Sequence, residues 1–194
     1  MFMALNERLF WLINGAHAPL LDPLMYLISF TAYSIPAAII AIAAFRLYGV
    51  PGWRNVALLA AAMLLAGGVV HAIKQNVNAD RPLTYFAAKN PAEKNEVHAP
   101  YERLYHGSFP SGHTQTAFSV AVLMALLFRR HRGWWLLWAV MVGISRVYLG
   151  SHFPDDVLAG ACIGAAVSAG TYYGFIAKGW IPLRQRKSAF FLWE

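Results

Sequence analysis

Apolar stretches free of formal charge recur along the chain, each closed by basic or turn residues. Residues 23–45 carry no charge, and neither do residues 55–73 between Arg54 and Lys74. A third stretch, 113–128, stops at Arg129, Arg130, His131 and Arg132. The fourth, 133–150, holds Arg146 as its one charge, and the fifth, 157–177, lies between Asp156 and Lys178. About 20 apolar residues carry an α-helix across a bilayer, so the pattern predicts five spans. Residues 1–17 contain Glu7, Arg8 and only a short apolar stretch at 9–13. They read as an interfacial amphipathic helix rather than a cleavable signal. Residues 79–110, with Pro82, Pro91, Pro100 and Pro110 among mixed charges, read as one long loop, a length that marks function or disorder. The expected fold is all-α: a polytopic transmembrane helical bundle of about five spans plus the N-terminal helix, one domain over residues 1–194.

Composition narrows the class. The chain is 58% hydrophobic and 13% charged, against about 25% charged in soluble domains, too little to cover a water-facing surface. Disorder needs the opposite balance. A net charge of +7 would suit nucleic acid if it formed a basic stripe on a soluble fold. Here the basic residues sit between apolar runs, so they read as membrane anchors, and nucleic acid is excluded as a partner. The single cysteine, Cys162, rules out an intrachain disulfide or a multi-cysteine metal site and reads as a small packing residue. Gly160 with Gly164, Gly170 with Gly174, and Gly67 with Gly68 read as places where helices approach closely. Oligomeric state leaves no mark in the sequence.

Five spans put alternate loops on opposite sides. One side gathers Arg46, Arg54, Arg129, Arg130, Arg132, Lys178, Arg184, Arg186 and Lys187, with Glu194 as its one acid. The other holds Arg8, Lys74, Arg81, Lys89, Lys94, Arg103 and Arg146 together with eight acids. Setting aside Lys74, Arg81 and Arg146, which have another use, the basic count is nine against four. The positive-inside rule then makes the first side, including the tail 179–194, cytoplasmic. The 79–110 loop faces the periplasm or exterior of a bacterial inner membrane.

Three clusters fall on that outer side. Lys74 ends the second span, followed by Arg81 and Pro82; Pro110, Ser111, Gly112 and His113 open the third; Ser145 and Arg146 close the fourth, with His152 and Asp156 beyond. A lone Arg146 would be explained by snorkelling. Three cations converging on a glycine-bearing helix start instead favour an anion, held by free backbone N–H groups and the helix dipole. Arginine forks suit phosphate, with lysine as a point charge. His152 and Asp156 are four apart, which on a helical turn puts them on one face. The carboxylate would fix the imidazole tautomer and free the other nitrogen as nucleophile or base, with Asp155 as an alternative partner. A metal held by His152 and Asp156 is the weaker reading, because the three cations would repel it. His17, His71, His98, His106 and His131 read as packed or solvated. The chemistry that uses both clustered histidines has His152 attack phosphorus while Asp156 stabilises the imidazolium. His113 protonates the departing oxygen, and Lys74, Arg81, Arg146, Ser111 and the Gly112 amide hold the phosphate oxygens.

These clusters resemble the signature of the type 2 phosphatidic acid phosphatase superfamily, which also contains vanadium haloperoxidases. Its pattern K-x6-R-P, P-S-G-H and S-R-x5-H-x3-D is matched at every position by Lys74, Arg81, Pro82; Pro110, Ser111, Gly112, His113; and Ser145, Arg146, His152, Asp156. The resemblance covers roughly residues 20–178. It implies a lipid phosphatase working without metal or other cofactor, the second histidine as nucleophile and the first as acid, on a helical bundle that often has six spans. Small bacterial members with outward-facing sites resemble undecaprenyl diphosphate phosphatases of cell-wall biogenesis. Others act on phosphatidylglycerophosphate, phosphatidate or lipid A, by hydrolysis or phosphate transfer. The expected partners are a lipid phosphate substrate and the bilayer, with Lys89, Lys94, Arg103, Tyr105 and His106 of the long loop either selecting headgroups or merely connecting. The reading from another class is a non-catalytic lipid-phosphate binder or a transporter, which would show repeated halves or interrupted helices.

Overall fold

The structure, a computed structural model, describes residues 2–49, 52–90 and 97–180. The described residues form eight α-helices, with a single isolated bridge and no strand. They are α1 (Phe2–Asn14), α2 (Asp22–Phe30), α3 (Ser34–Leu47), α4 (Trp53–Asn76), α5 (Pro82–Lys89), α6 (Gly112–Leu127), α7 (Arg132–Tyr148) and α8 (Pro154–Ala177). Large apolar side chains such as Ile35, Leu64, Trp134 and Leu158 point outward, which a protein surface tolerates where lipid replaces water. The chain is an all-α membrane protein.

α6 is the axis of the bundle. It is apolar around most of its circumference, as a fully enclosed helix must be, and packs against α3, α4, α7 and α8. Val120, Leu123 and Met124 meet Phe45, Leu58, Leu59 and Tyr172 at one end. Ala117 and Ala121 meet Ala32, Ala139 and Val142 in the middle. A third cluster, Phe10, Leu83, Phe86, Val97, Val147 and Phe153, packs at the other end.

α4 and α8 are long and apolar enough to cross a membrane, whereas α6 and α7 are shorter. The first expected span is not continuous: α2 and α3 are bent by 73° across a short break. Pro36 explains the break. It lacks an N–H, and its ring would strike the carbonyl four residues back in an unbroken helix, but in the first turn of α3 neither matters. The 79–110 segment also departs from a plain loop, since Pro82–Lys89 is helical; residues 91–96 and the tail from 181 onward lie outside the described residues.

The glycine pairs divide. A Cβ on Gly160 would collide with the Ser111 carbonyl oxygen, and one on Gly164 with that of Gln115, so α8 and α6 touch through backbone there. Gly67, Gly68, Gly170 and Gly174 have no such neighbour within 4 Å. Cys162 is exposed on the outer face of α8, not a packing residue within the bundle. Gly160→Ala is therefore expected to destabilise the protein by about 1–3 kcal/mol by forcing α6 off α8, and Gly170→Ala to leave it unchanged. Thermal unfolding in detergent separates the two; equal transitions would contradict this packing.

Candidate active site

Helix ends build the site. Ser111 caps α6, its hydroxyl accepting from the Thr114 N–H at 3.4 Å and bonding the Thr114 hydroxyl at 2.9 Å. Its own N–H donates to the Asp156 carbonyl at 2.9 Å. Pro154 opens α8 with the fixed φ a first turn needs. The Asp156 carboxylate then reaches back to accept the Phe153 N–H at 2.8 Å. α7 delivers Arg146 in its last turn, α4 delivers Lys74, and the connection after α4 delivers Arg81.

All three clusters meet at this end of the bundle. His152 is almost wholly buried, with Nδ1 3.4 Å from Asp156 Oδ2 and Nε2 3.4 Å from Arg81 Nη1. The pairing with Asp156 does not come from a shared helix face. His152 lies in the loop before α8, and the back-bonding of Asp156 at the helix start turns its carboxylate toward the ring. The same carboxylate oxygen accepts the Ser108 hydroxyl at 2.5 Å. Asp155 is not an alternative partner, for its carboxylate bonds the Asp156 N–H at 2.9 Å and its own N–H donates to Asn6. Burial, reinforced by Arg81, Arg146 and Lys74, holds the His152 imidazole well below its usual titration range, hence neutral with a usable lone pair.

The cations are held mostly by neutral oxygens. The Lys74 ammonium donates to the Gly107 carbonyl and, at 3.5 Å, to that of Ser108. Arg81 donates to the carbonyls of His106 (2.9 Å), Ser151 (2.9 Å) and Gly107 (3.3 Å). Burial and the nearby Arg146 charge push Arg81 down to about 10, still protonated at neutral pH. Arg146 is almost fully enclosed: Nη1 donates to Ser29 Oγ at 2.7 Å and Nη2 pairs with Glu102 at 3.3 Å, while Nε has no partner among the described residues. His113 stands at the start of α6 with its ring edge-on to Tyr33 (4.4 Å between centroids, 80°) and a buried Nε2 that meets no hydrogen-bond partner among the described residues. A Cβ on Gly112 would meet no atom of the other described residues within 4 Å beyond its own helix and neighbours, leaving the backbone open to a ligand.

Sequence reasoning missed Ser29, Tyr33, Glu102 and Ser108. Glu102 accepts from Tyr33 at 2.7 Å as well as pairing with Arg146. Burial alone would raise this carboxyl, but the Tyr33 hydroxyl and the Arg146 charge outweigh it, so it stays ionised. Ser29, a polar side chain inside an apolar stretch, was the one local signal. Among the loop residues considered for headgroup selection, Lys89 pairs with Glu7 and His106 with Asp80; Lys94 lies outside the described residues. His17 stacks on His98, His71 bonds Gln75, and His131 stacks on Tyr48. Among the described residues, no group of three or more His, Cys, Asp or Glu is placed to hold a metal ion.

A neutral imidazole with a carboxylate behind one nitrogen and guanidinium and ammonium groups before the other can attack, and stabilise, a tetrahedral oxyanion. The chain belongs to the PAP2 superfamily, whose family model matches residues 55–180, and falls in its membrane lipid phosphatase branch. The undecaprenyl-diphosphatase BcrC of Bacillus subtilis is 31% identical over 175 residues, covering 88% of this chain and 84% of that protein. A lipid A 4'-phosphatase of Porphyromonas gingivalis is 28% identical over 189 residues, covering 92% and 77%. The crystal structure of Aquifex aeolicus LpxE superposes with a TM-score of 0.74 at 29% identity, covering 87% of this chain and 95% of that one.

Proposed function

We propose that the protein hydrolyses a phosphate from an isoprenoid or glycerolipid phosphate, with undecaprenyl diphosphate as the preferred substrate, through a phosphohistidine intermediate. The observation that carries this is the setting of His152: Nε2 faces Arg81 at 3.4 Å while Nδ1 faces the Asp156 carboxylate. Nε2 attacks phosphorus and the bond from phosphorus to the bridging oxygen breaks. His113 gives its proton to that oxygen, and Asp156 stabilises the charged phosphoimidazole. Water then attacks the phosphohistidine, His113 takes the proton, orthophosphate leaves and His152 returns neutral. Lys74, Arg81, Arg146, Ser111 and the Gly112 amide stabilise the charge on the non-bridging oxygens. No metal is needed, because three cations supply the charge a metal would otherwise bring.

The choice of lipid is supported by the near full-length similarity to BcrC. A lipid A reading is supported by the match over 189 residues to the Porphyromonas gingivalis protein. In this reading the lipid tail stays in the bilayer and the headgroup enters at the outer face of a bacterial inner membrane, where the 79–110 segment lies. Residues 1–17 rest at the interface and the 179–194 tail is cytoplasmic. The test is phosphate release by purified protein in chelator-containing detergent, from undecaprenyl diphosphate, phosphatidylglycerophosphate, phosphatidate and lipid A. The expected result is undiminished turnover without metal and the highest kcat/KM on undecaprenyl diphosphate. Dependence on added metal would overturn the mechanism, and a higher value on lipid A would reassign the substrate.

A further inference from the structure

Asn6, Phe10 and Asn14 recur every four residues along α1, and all three are buried, so one face of the helix points inward. That face is partly polar, whereas a helix serving only as an anchor would turn apolar residues to its neighbours and polar ones to water. Each of the three residues grips the stretch between Arg146 and Asp156 at a different point. Asn14 Nδ2 donates to the carbonyls of Tyr148 (2.8 Å) and Val147 (3.4 Å) at the end of α7. The same side chain donates to the His98 carbonyl and accepts the His98 N–H, both at 2.9 Å, leaving its amide fully engaged. The Phe10 ring lies 5.3 Å from that of Phe153, the residue after His152. Asn6 accepts the Asp155 N–H at 3.1 Å, one residue before Asp156.

α1 also holds the opposite wall. Phe10 packs on Phe86, and Glu7 accepts from Tyr85 at 2.7 Å and pairs with Lys89, all on α5, the helix that begins directly after Arg81. Within the His152 segment itself, the backbone N–H groups at Ser151 and His152 share one acceptor, the Arg146 carbonyl, at 3.0 and 3.3 Å.

We propose that α1 is a positioning clamp, in which Asn6, Phe10 and Asn14 fix the approach of His152 to the phosphate by holding both flanks of its loop. The proposal rests on the reading of His152 as nucleophile. In-line attack demands placement finer than 1 Å, and a shift of that size costs about 100-fold in rate. The clamp thus acts mainly on the chemical step, since Lys74 keeps the Gly107 and Ser108 carbonyls and Arg81 those of His106 and Gly107, all outside the clamped loop.

The test uses Asn6→Ala, which removes one acceptor, and Phe10→Leu, which trims the ring against Phe153. Both are made in the full-length protein and compared with His152→Ala. Each is expected to lower kcat about tenfold or more with KM within twofold, in protein that thermal unfolding shows still folded at the assay temperature. Single-turnover formation of the acid-labile phosphoenzyme should slow by the same factor. A kcat within twofold of the parent in both variants would overturn the clamp, as would a loss accounted for by the unfolded fraction. Retained turnover in His152→Ala would instead overturn the nucleophile assignment beneath it.

Discussion

His152→Ala is expected to lower phosphate release by about 10⁴-fold or more, to background on every lipid tested. The nearest groups cannot replace it. Asp156 is occupied by the Ser108 hydroxyl and the Phe153 N–H, and His113 stands at the start of α6 against Tyr33. Deleting the imidazole also leaves Arg81 without that neighbour but still bonded to three carbonyls, so the cation cradle persists. Binding of inorganic phosphate to the variant should therefore stay within a few-fold of the parent. Turnover reduced by less than 10-fold would assign the attack to another group, and loss of phosphate binding along with turnover would point to collapse of the site.

Arg146→Lys is expected to reduce kcat/KM by about 100-fold, although it conserves charge. The guanidinium holds two partners, Ser29 through Nη1 and Glu102 through Nη2, and its Nε is unengaged among the described residues. An ammonium on a flexible stem cannot hold both partners and a phosphate oxygen together. It would leave the half-buried Glu102 carboxylate facing the incoming phosphate, a like charge in a partly dry site. Steady-state kinetics on the best lipid substrate measures this, with Ser29→Ala as a milder companion that removes one of the two restraints. A lysine variant within threefold of the parent would mean that the site needs only the charge.

The elements most legible in the sequence were those dictated by one simple physical requirement. Long apolar stretches with at most one charge located α4, α6, α7 and α8, because hydrocarbon tolerates little else. The three motif clusters were visible because cations near an apolar segment need an explanation. The α2–α3 bend was less legible: apolar content says nothing about backbone direction, and Pro36 was passed over although it is incompatible with a continuous helix. The contact between His152 and Asp156 was foreseen for the wrong reason, since a four-residue spacing fits a helical face and a back-bonded helix start alike. Glu102, Tyr33 and Ser108 could not be read at all. Their meaning lies in contacts across long sequence separations, and nothing local distinguishes them from surface residues of a connection. α1 hid its role in the same way, because Asn6 and Asn14 look like ordinary polar positions of an interfacial helix until their partners are known.

The site occupies the ends of α4, α6, α7 and α8, while Phe45, Leu58, Leu59, Leu123, Met124 and Tyr172 fill the opposite half of the bundle. One helix thus answers to two different tolerances along its length. In the half around Leu123, a substitution is judged by volume, and an apolar exchange of similar size passes. Two or three turns away, around His113, the same exchange is judged by charge and by the direction of a single proton. A map of mutational tolerance drawn along α6 would change character in mid-membrane.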